Sequence, residues 1–295
     1  LYRVLENKQA ILALANEQDP TLVRLGGGAL NIEARVIGSK NNPMLILHLV
    51  VNTLDAMGAN ASNTMAEKVS PLVEEITGGK VHLRIISNFA DKRLARARCI
   101  IHKDDLGGEE VVDRIVTAYE FASIDPYRAA THNKGIMNGI SSVVLATGND
   151  TRAIEAGAHV YASNGGHYTS LSHWEKNNEG HLVGTLELPL AVGIIGGATA
   201  SHPKARTNLK IMNVKSAKDL AEIIVSVGLA QNLTALKALA TEGVQRGHMK
   251  LHAKNIAIMA GATGEEIDMV AARIVEEEKV RVDFAKEVLV QLKKV

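Results

Sequence analysis

Thr131-His-Asn-Lys-Gly-Ile-Met-Asn-Gly-Ile140 sets a single lysine among amide side chains and glycines. Such a setting directs a positive charge at a developing oxyanion rather than at solvent. A lone lysine in a Gly/Asn-rich loop is ordinarily just solvated, so the flanks decide. His132, Asn133 and Asn138 each offer hydrogen bonds to a polar ligand, and Gly135 and Gly139 permit close backbone approach. Upstream, Arg128 in Asp125-Pro-Tyr-Arg128 supplies a second cation able to grip a carboxylate with two parallel bonds. Together they predict a site for an acidic substrate.

Downstream of this stretch lies Gly148-Asn-Asp150. Asp150 reads as the N-cap of a helix over 150–162, with Asn149 as the other candidate cap, or as a buried carboxylate holding Lys134 charged. The two roles are compatible. Near the end, Arg246-Gly-His-Met249 places His248 at a helix start with His252 four residues on. The Glu of an H-E-x-x-H zinc motif is replaced by Met249 and no Cys cluster exists, so no metal is expected. His248 is either a solvated histidine or a mobile general acid. Asp55-Ala-Met-Gly-Ala-Asn60 follows a strand and precedes a helix, the junction at which free N–H groups meet a phosphate. No G-x-G-x-x-G, P-loop or G-x-S-x-G motif occurs, and Gly26-Gly27-Gly28 has no helix after it. Neither a Rossmann domain nor an α/β-hydrolase is supported. Gly165–Tyr168 and Gly193–Ala198 could line a ligand or form tight turns.

The bulk properties narrow the class. Thirty-three basic residues against 32 acidic ones leave no basic stripe for nucleic acid. A single cysteine, Cys99, excludes an internal disulfide framework and suits a cytoplasmic protein. The apolar runs 44–51 and 188–200 fall short of the roughly 18 residues that span a bilayer, so no membrane is expected. The chain opens on Leu1 already in a helical pattern, which suggests a start partway into a longer protein.

The pattern along the chain is α+β. Residues 1–103 form a small α+β unit: alternating strands at 32–36 and 81–85, an apolar, β-branched strand at 44–51, a possible fourth at 96–101, and a helix over 60–76 stopped by Gly78-Gly79 and bent or split by Pro71. A boundary is expected at Asp104–Glu110. Residues 104–243 are richer in helix, with strand-like pieces at 142–147 and 181–188 and a capping box at Ser216 and Asp219 opening the longest helix. Residues 244–295 give two short amphipathic helices with little core of their own, expected to dock elsewhere or to move as a flap.

Six ordered blocks carry a resemblance: Asp55–Glu67 (DAMGANASNTMAE), Asp125–Ile140 (DPYRAATHNKGIMNGI), Ala146–Gly157 (ATGNDTRAIEAG), His181–Pro189 (HLVGTLELP), Gly228–Asn232 (GLAQN) and Thr241–Ala257 (TEGVQRGHMKLHAKNIA). From about Asp19 to Val295 the chain resembles the class II, bacterial-type 3-hydroxy-3-methylglutaryl-CoA reductases. The resemblance implies a large mixed α/β substrate domain, an inserted ferredoxin-like small domain that binds NADH or NADPH, and a C-terminal helical flap. It implies a homodimer or higher homo-oligomer with sites at the subunit interface, interconverting hydroxymethylglutaryl-CoA and mevalonate plus coenzyme A by two hydride transfers. Lys134, Asp150 and His248 would be catalytic: an oxyanion stabiliser, its partner carboxylate and the proton donor to the departing thiolate. Arg128, Thr131, Asn138, Gln231 and Asn232 would bind substrate. Asp55, Met57, Gly58, Ala59, Asn60 and Asn88 would bind the cofactor, with residues 16–24 offering both signs of charge to its ribose. The family's catalytic glutamate sits in an E-N-V-I-G motif, which these 295 residues do not contain. The chain is therefore expected to lack the first part of the large domain and to show little or no reductase activity by itself. A non-catalytic binding or assembly module that keeps the fold is the competing expectation.

Overall fold

The computed structural model describes the backbone of residues 1–241 and 243–292, with residue 39 and residues 244–251 described by backbone alone. The chain divides into two compact units: Leu1–Cys99, Ala122–His173 and Gly184–Gln231 in one, Ile100–Phe121, Trp174–Val183 and Asn232–Val295 in the other. The Asp104–Glu110 stretch expected as a boundary falls inside the second unit.

Alternation dictates the first layer. β1 (Gly28–Ser39) and β2 (Asn42–Asn52) pair antiparallel with Ile32 opposite Leu49 and Ala34 opposite Leu47. The helices Lys8–Asn16 and Ala59–Thr77 close one core with this hairpin, burying Ile11, Ala15, Ile32, Met65, Val69 and Val73. Gly78 ends the second helix in a left-handed conformation, φ 69°, as Gly78-Gly79 predicts. Pro71 neither splits nor ends that helix. It removes one N–H, but buried Met65, Val69 and Val73 on either side hold both halves to the same core.

The strand expected over 81–85 does not form. Val81 N–H donates to Glu74 Oε1 at 2.8 Å and Ile86 N–H to Asn63 Oδ1 at 2.8 Å. Side chains of the helix thus take donors that a strand would give to a neighbour. Among the described residues this layer has two strands, short of the four in a ferredoxin-like sheet.

A second sheet has the order β3 (Leu94–Ile101), β5 (Leu182–Pro189), β4 (Ser172–Lys176). Its central strand β5 is buried on both faces for most of its length, as its near-continuous apolar run requires. Ser142–Thr147, read as strand-like, instead completes the helix Pro126–Ala146, with Thr147 as its C-cap. That helix also absorbs the whole Thr131–Ile140 stretch. Asp125 caps it, Pro126 opens it, and buried Ala129, Ile136, Met137, Ile140 and Val144 repeat at helical spacing. Periodicity and cap together outweigh the low helix propensity of two glycines and two asparagines.

The helix Ala217–Ala240 starts with the expected reciprocal box: Ser216 N–H donates to Asp219 Oδ2 (3.1 Å) and Asp219 N–H to Ser216 Oγ (3.0 Å). By length and composition it could cross a bilayer, which the shorter apolar runs had not suggested. Leu220, Ile224, Val225 and Leu229 are nevertheless buried within the protein. The last three helices, Val244–Met259, Glu266–Glu276 and Val282–Leu292, share a core of Ala253, Ile256, Val270, Ile274, Val288 and Leu289. The tail thus has more core than its length suggested, because three helices rather than two contribute to it.

Two kinds of glycine in this fold should separate in stability measurements. A Cβ on Gly228 would lie 2.8 Å from Ile140 Cγ1 and 3.1 Å from Leu186 Cδ2, whereas one on Gly135 meets nothing. Gly228→Val should cost about 1–3 kcal/mol by overpacking. Gly135→Ala should gain up to about 1 kcal/mol from helix propensity. Urea unfolding of both variants checks the contrast.

Candidate active site

The helix Pro126–Ala146 is positioned first. Asp125 Oδ2 accepts the Arg128 N–H at 2.9 Å, fixing where the helix begins. From that cap Ala129, His132, Asn133, Ile136, Met137 and Ile140 turn inward. Thr131, Lys134 and Asn138 lie exposed, with Arg128 half-buried one turn earlier. At 100° per residue these four share one edge of the helix. Burial lowers the Arg128 pKa from its ordinary value, yet an arginine stays protonated. Its guanidinium has no acceptor among the described residues. A partly dehydrated cation without a carboxylate is a seat for an anion.

His132 and Asn133 do not face a ligand. His132 Nε2 lies 2.8 Å from Ser172 Oγ and 2.9 Å from Ser170 Oγ. Asn133 donates to the Thr169 carbonyl at 2.8 Å and accepts the Leu171 N–H at 2.9 Å. Both belong to the core. Gly139 does allow close approach, but to a helix: a Cβ there would sit 3.0 Å from Gln231 Cβ and 3.1 Å from the Val227 carbonyl. Exposed Gln231 thereby packs beside Gly139, whereas Asn232 turns inward and accepts the Trp174 indole N–H at 2.7 Å. Asn232 is thus a structural residue here.

Lys134 and Asp150 are not paired. Lys134 is exposed without an ion-pair partner among the described residues. Asp150 is the N-cap of the helix Thr151–Ser163, accepting from Arg152 N–H (2.9 Å) and Ala153 N–H (3.3 Å), with Arg152 Nε at 3.4 Å. Its side chain is 45% exposed, not buried as the partner role would have it. Partial desolvation opposes its charge, but Arg152 and the two helix amides outweigh it and hold the carboxyl below its ordinary range. His248 falls in the Val244–Met259 helix, but its side chain lies outside the described residues.

Next to Asp150, Asn149 does what a cap candidate was not expected to do. Its amide donates to the Gly193 carbonyl at 3.1 Å and accepts the Gly193 N–H at 2.8 Å. A Cβ on Gly193 would lie 2.5 Å from Met57 N, so this clip presses the 193 backbone onto the Asp55–Asn60 loop. Ile194 N–H donates to the Asp55 carbonyl at 2.9 Å. The loop itself turns at Gly58, φ 101°, where a Cβ would collide with Thr53 at 2.3 Å. Gly58 then caps the Ala59–Thr77 helix without any side-chain bond, and no acidic residue sits in the first turn. Among the described residues the N–H groups of Met57, Gly58, Ala59, Asn60 and Ala61 have no acceptor. Five amides at the positive end of a helix fit a diphosphate. Asp55 is not part of that face, because its Oδ1 accepts the Ala217 N–H at 2.7 Å.

Arg93, which nothing in the sequence singles out, secures the loop from behind with bonds to Thr53, Leu54, Ala56, Met57 and Val192. Asn88 is exposed, with its carbonyl against Gly157, where a Cβ would lie 2.5 Å away. Of residues 16–24, Asn16 and Asp19 are occupied with the backbone of Ala29 and Leu22, leaving Glu17 and Arg24 exposed.

The fold thus carries a helix edge with unpaired cations and a loop with unpaired amides. Comparison with known proteins narrows this. The family model for hydroxymethylglutaryl-coenzyme A reductase matches residues 1–253. The 3-hydroxy-3-methylglutaryl-coenzyme A reductase of Archaeoglobus fulgidus is 60% identical over 292 residues, covering 99% of this chain and 67% of the relative. A probable reductase of the same name from Borreliella burgdorferi is 41% identical, and the match covers 78% of this chain and 54% of that protein. The class II reductase of Streptococcus pneumoniae, solved bound to NADPH in open conformations, superposes with a TM-score of 0.80 at 41% identity, over 99% of this chain and 72% of that one. The chain belongs to the hydroxymethylglutaryl-coenzyme A reductase family, and it spans between about half and just over two-thirds of the length of these relatives.

Buried His132 has a measurable consequence. Burial, reinforced by the Arg128 charge, depresses its pKa from 6.5 to about 4. Between those values the unfolded chain binds the proton and the folded one does not, so stability falls as pH drops through that window. The full effect is about 3 kcal/mol at 1.36 kcal/mol per unit. His132→Gln should flatten this part of a stability-versus-pH curve measured by urea unfolding at several pH values.

Proposed function

We propose that this chain supplies the cofactor loop and the acyl-binding edge of a 3-hydroxy-3-methylglutaryl-CoA reductase acting with NADPH, as a homodimer or higher homo-oligomer. The observation that carries it is the edge of the Pro126–Ala146 helix, where Arg128, Thr131, Lys134 and Asn138 stand together outside the core. Arg128 and Asn138 hold the hydroxymethylglutaryl carboxylate and hydroxyl, with Thr131 beside them. Lys134 points its ammonium at the thioester oxygen and, later, at the aldehyde oxygen. Asp150 and His248 complete the set, the first steadying Lys134 and the second protonating the departing thiolate of coenzyme A. In a single chain Asp150 is turned to Arg152, which supports a site finished only on assembly, where a partner copy can realign it.

On the cofactor side the amides of Met57 to Ala61 seat the diphosphate, and exposed Asn88 lies on the nicotinamide side. NADPH, when bound, supplies the hydrides. The chain's own part is to fix the acyl group and to stabilise each alkoxide formed. The hairpin β1–β2 with its two covering helices is the counterpart of the family's small cofactor domain. Residues 104–243 then correspond to the substrate domain, and 244–295 to the flap that excludes water. A glutamate of the E-N-V-I-G type is not among these residues, so full activity is proposed only for a form matching the relatives' full length.

In such a form, Lys134→Ala should lower kcat for substrate-dependent NADPH oxidation by roughly 100- to 1,000-fold, the usual effect of losing one oxyanion donor. KM for NADPH should stay unchanged. Unaltered turnover in that variant would sink the assignment of Lys134 and the reading built on it.

A further inference from the structure

We propose that Arg93 is a positioning residue that sets affinity for the nicotinamide cofactor without touching it, by holding the Asn52–Gly58 turn with its carbonyls inward and its amides outward. The inference rests on the cofactor-loop reading given above. Its basis is a count of donors and acceptors. Nη1 donates to Thr53 Oγ1 (3.0 Å), the Ala56 carbonyl (2.9 Å) and the Met57 carbonyl (3.2 Å), while Nη2 donates to the carbonyls of Leu54 (3.1 Å) and Val192 (2.7 Å). Four Nη hydrogens thus serve five oxygens, so one hydrogen on Nη1 is shared between two acceptors. A lysine has three donors from one point and cannot span this set.

Among the described residues no carboxylate forms an ion pair with Arg93, although Asp55 is near enough to favour its charge. Carbonyl dipoles do most of the neutralising. Two of the five acceptors, the carbonyls of Ala56 and Met57, share peptide groups with the unpaired N–H groups of Met57 and Gly58. In a planar peptide the carbonyl and the following N–H point opposite ways. Tying the Ala56 and Met57 carbonyls to Arg93 therefore turns the Met57 and Gly58 N–H groups away from it. The same guanidinium leaves its positive charge directly behind them. Thr53 adds a second restraint, since its hydroxyl also donates to the Ala56 carbonyl at 2.9 Å. On the opposite side Gly193, clipped by Asn149, closes against the loop. Without Arg93 the turn would have to be ordered at the moment of binding, and preorganisation of this kind sets affinity.

The test is direct binding of NADPH to the 295-residue protein by calorimetry, with coenzyme A binding and the thermal midpoint recorded on the same samples. Arg93→Ala should weaken NADPH by about tenfold or more, by analogy with other preorganised loops, and leave coenzyme A within twofold. Arg93→Lys should behave like Arg93→Ala despite keeping the charge, and millimolar methylguanidinium should restore part of the affinity in Arg93→Ala only. Thr53→Val, which removes one acceptor at constant volume, should weaken NADPH in the same direction and decides the matter if Arg93→Ala does not fold. NADPH affinity unchanged in Arg93→Lys and Thr53→Val would overturn the proposal and leave the cofactor site standing. Equal loss of NADPH and coenzyme A in a Thr53→Val or Arg93→Lys protein that keeps its thermal midpoint would also overturn it, by reducing Arg93 to a general scaffold. No NADPH binding by the unaltered protein would overturn the cofactor-loop reading itself.

Discussion

A single guanidinium determines how the Asn52–Gly58 turn and the segments around it are built. Arg93 lies just before β3, and its acceptors come from the turn after β2 and from the 190s segment after β5. It therefore ties three distant pieces of chain at one point, using polar groups that burial would otherwise leave unpaired at a cost of about 1–3 kcal/mol each. Most of what surrounds it follows from that constraint. Gly58 must be left-handed because the turn is closed on Thr53. Gly193 must lack a side chain because its backbone lies on Met57. Asp55, whose neighbours look outward, spends its carboxylate on capping the Ala217–Ala240 helix.

The Pro126–Ala146 helix is a core element on one side and a polar shelf on the other, and its sequence serves both. The buried side holds amide and imidazole groups that a core tolerates only when bonded, and Asn133 is bonded at both ends. The exposed side keeps its cations unpaired, at little cost in folding energy for Lys134, which remains in water, whereas Arg128 is partly dehydrated. Asn149 stands beside Asp150 at the start of the next helix and holds Gly193 against the Asp55–Asn60 loop.

Much of this was legible in the sequence, and the exceptions have physical causes. The strands that became β1 and β2, the Gly78 stop, the Ser216–Asp219 box and the last two helices of the tail follow from residue pattern and caps, which act over a few residues. The Thr131–Ile140 stretch read as a loop because local propensity was weighed before the Asp125 cap and the buried stripe that runs past it. The missing strand over 81–85 and the inward turn of His132 and Asn232 depend on side chains 7 to 58 residues away, which no local pattern encodes. Arg93 was invisible for the same reason, because an arginine in Asp91-Lys-Arg93 looks like one more surface charge. Gly193 offered the one hint, as a glycine in a run that could line a ligand, without saying what it approaches.

If the turn held by Arg93 presents its amides to the phosphates of the cofactor, titrating NADPH into the protein moves the backbone ¹H–¹⁵N signals of Met57 to Ala61 furthest downfield in the spectrum, all saturating together. NADPH binding that leaves these five amides unmoved, with the shifts gathered on another element, rules that arrangement out.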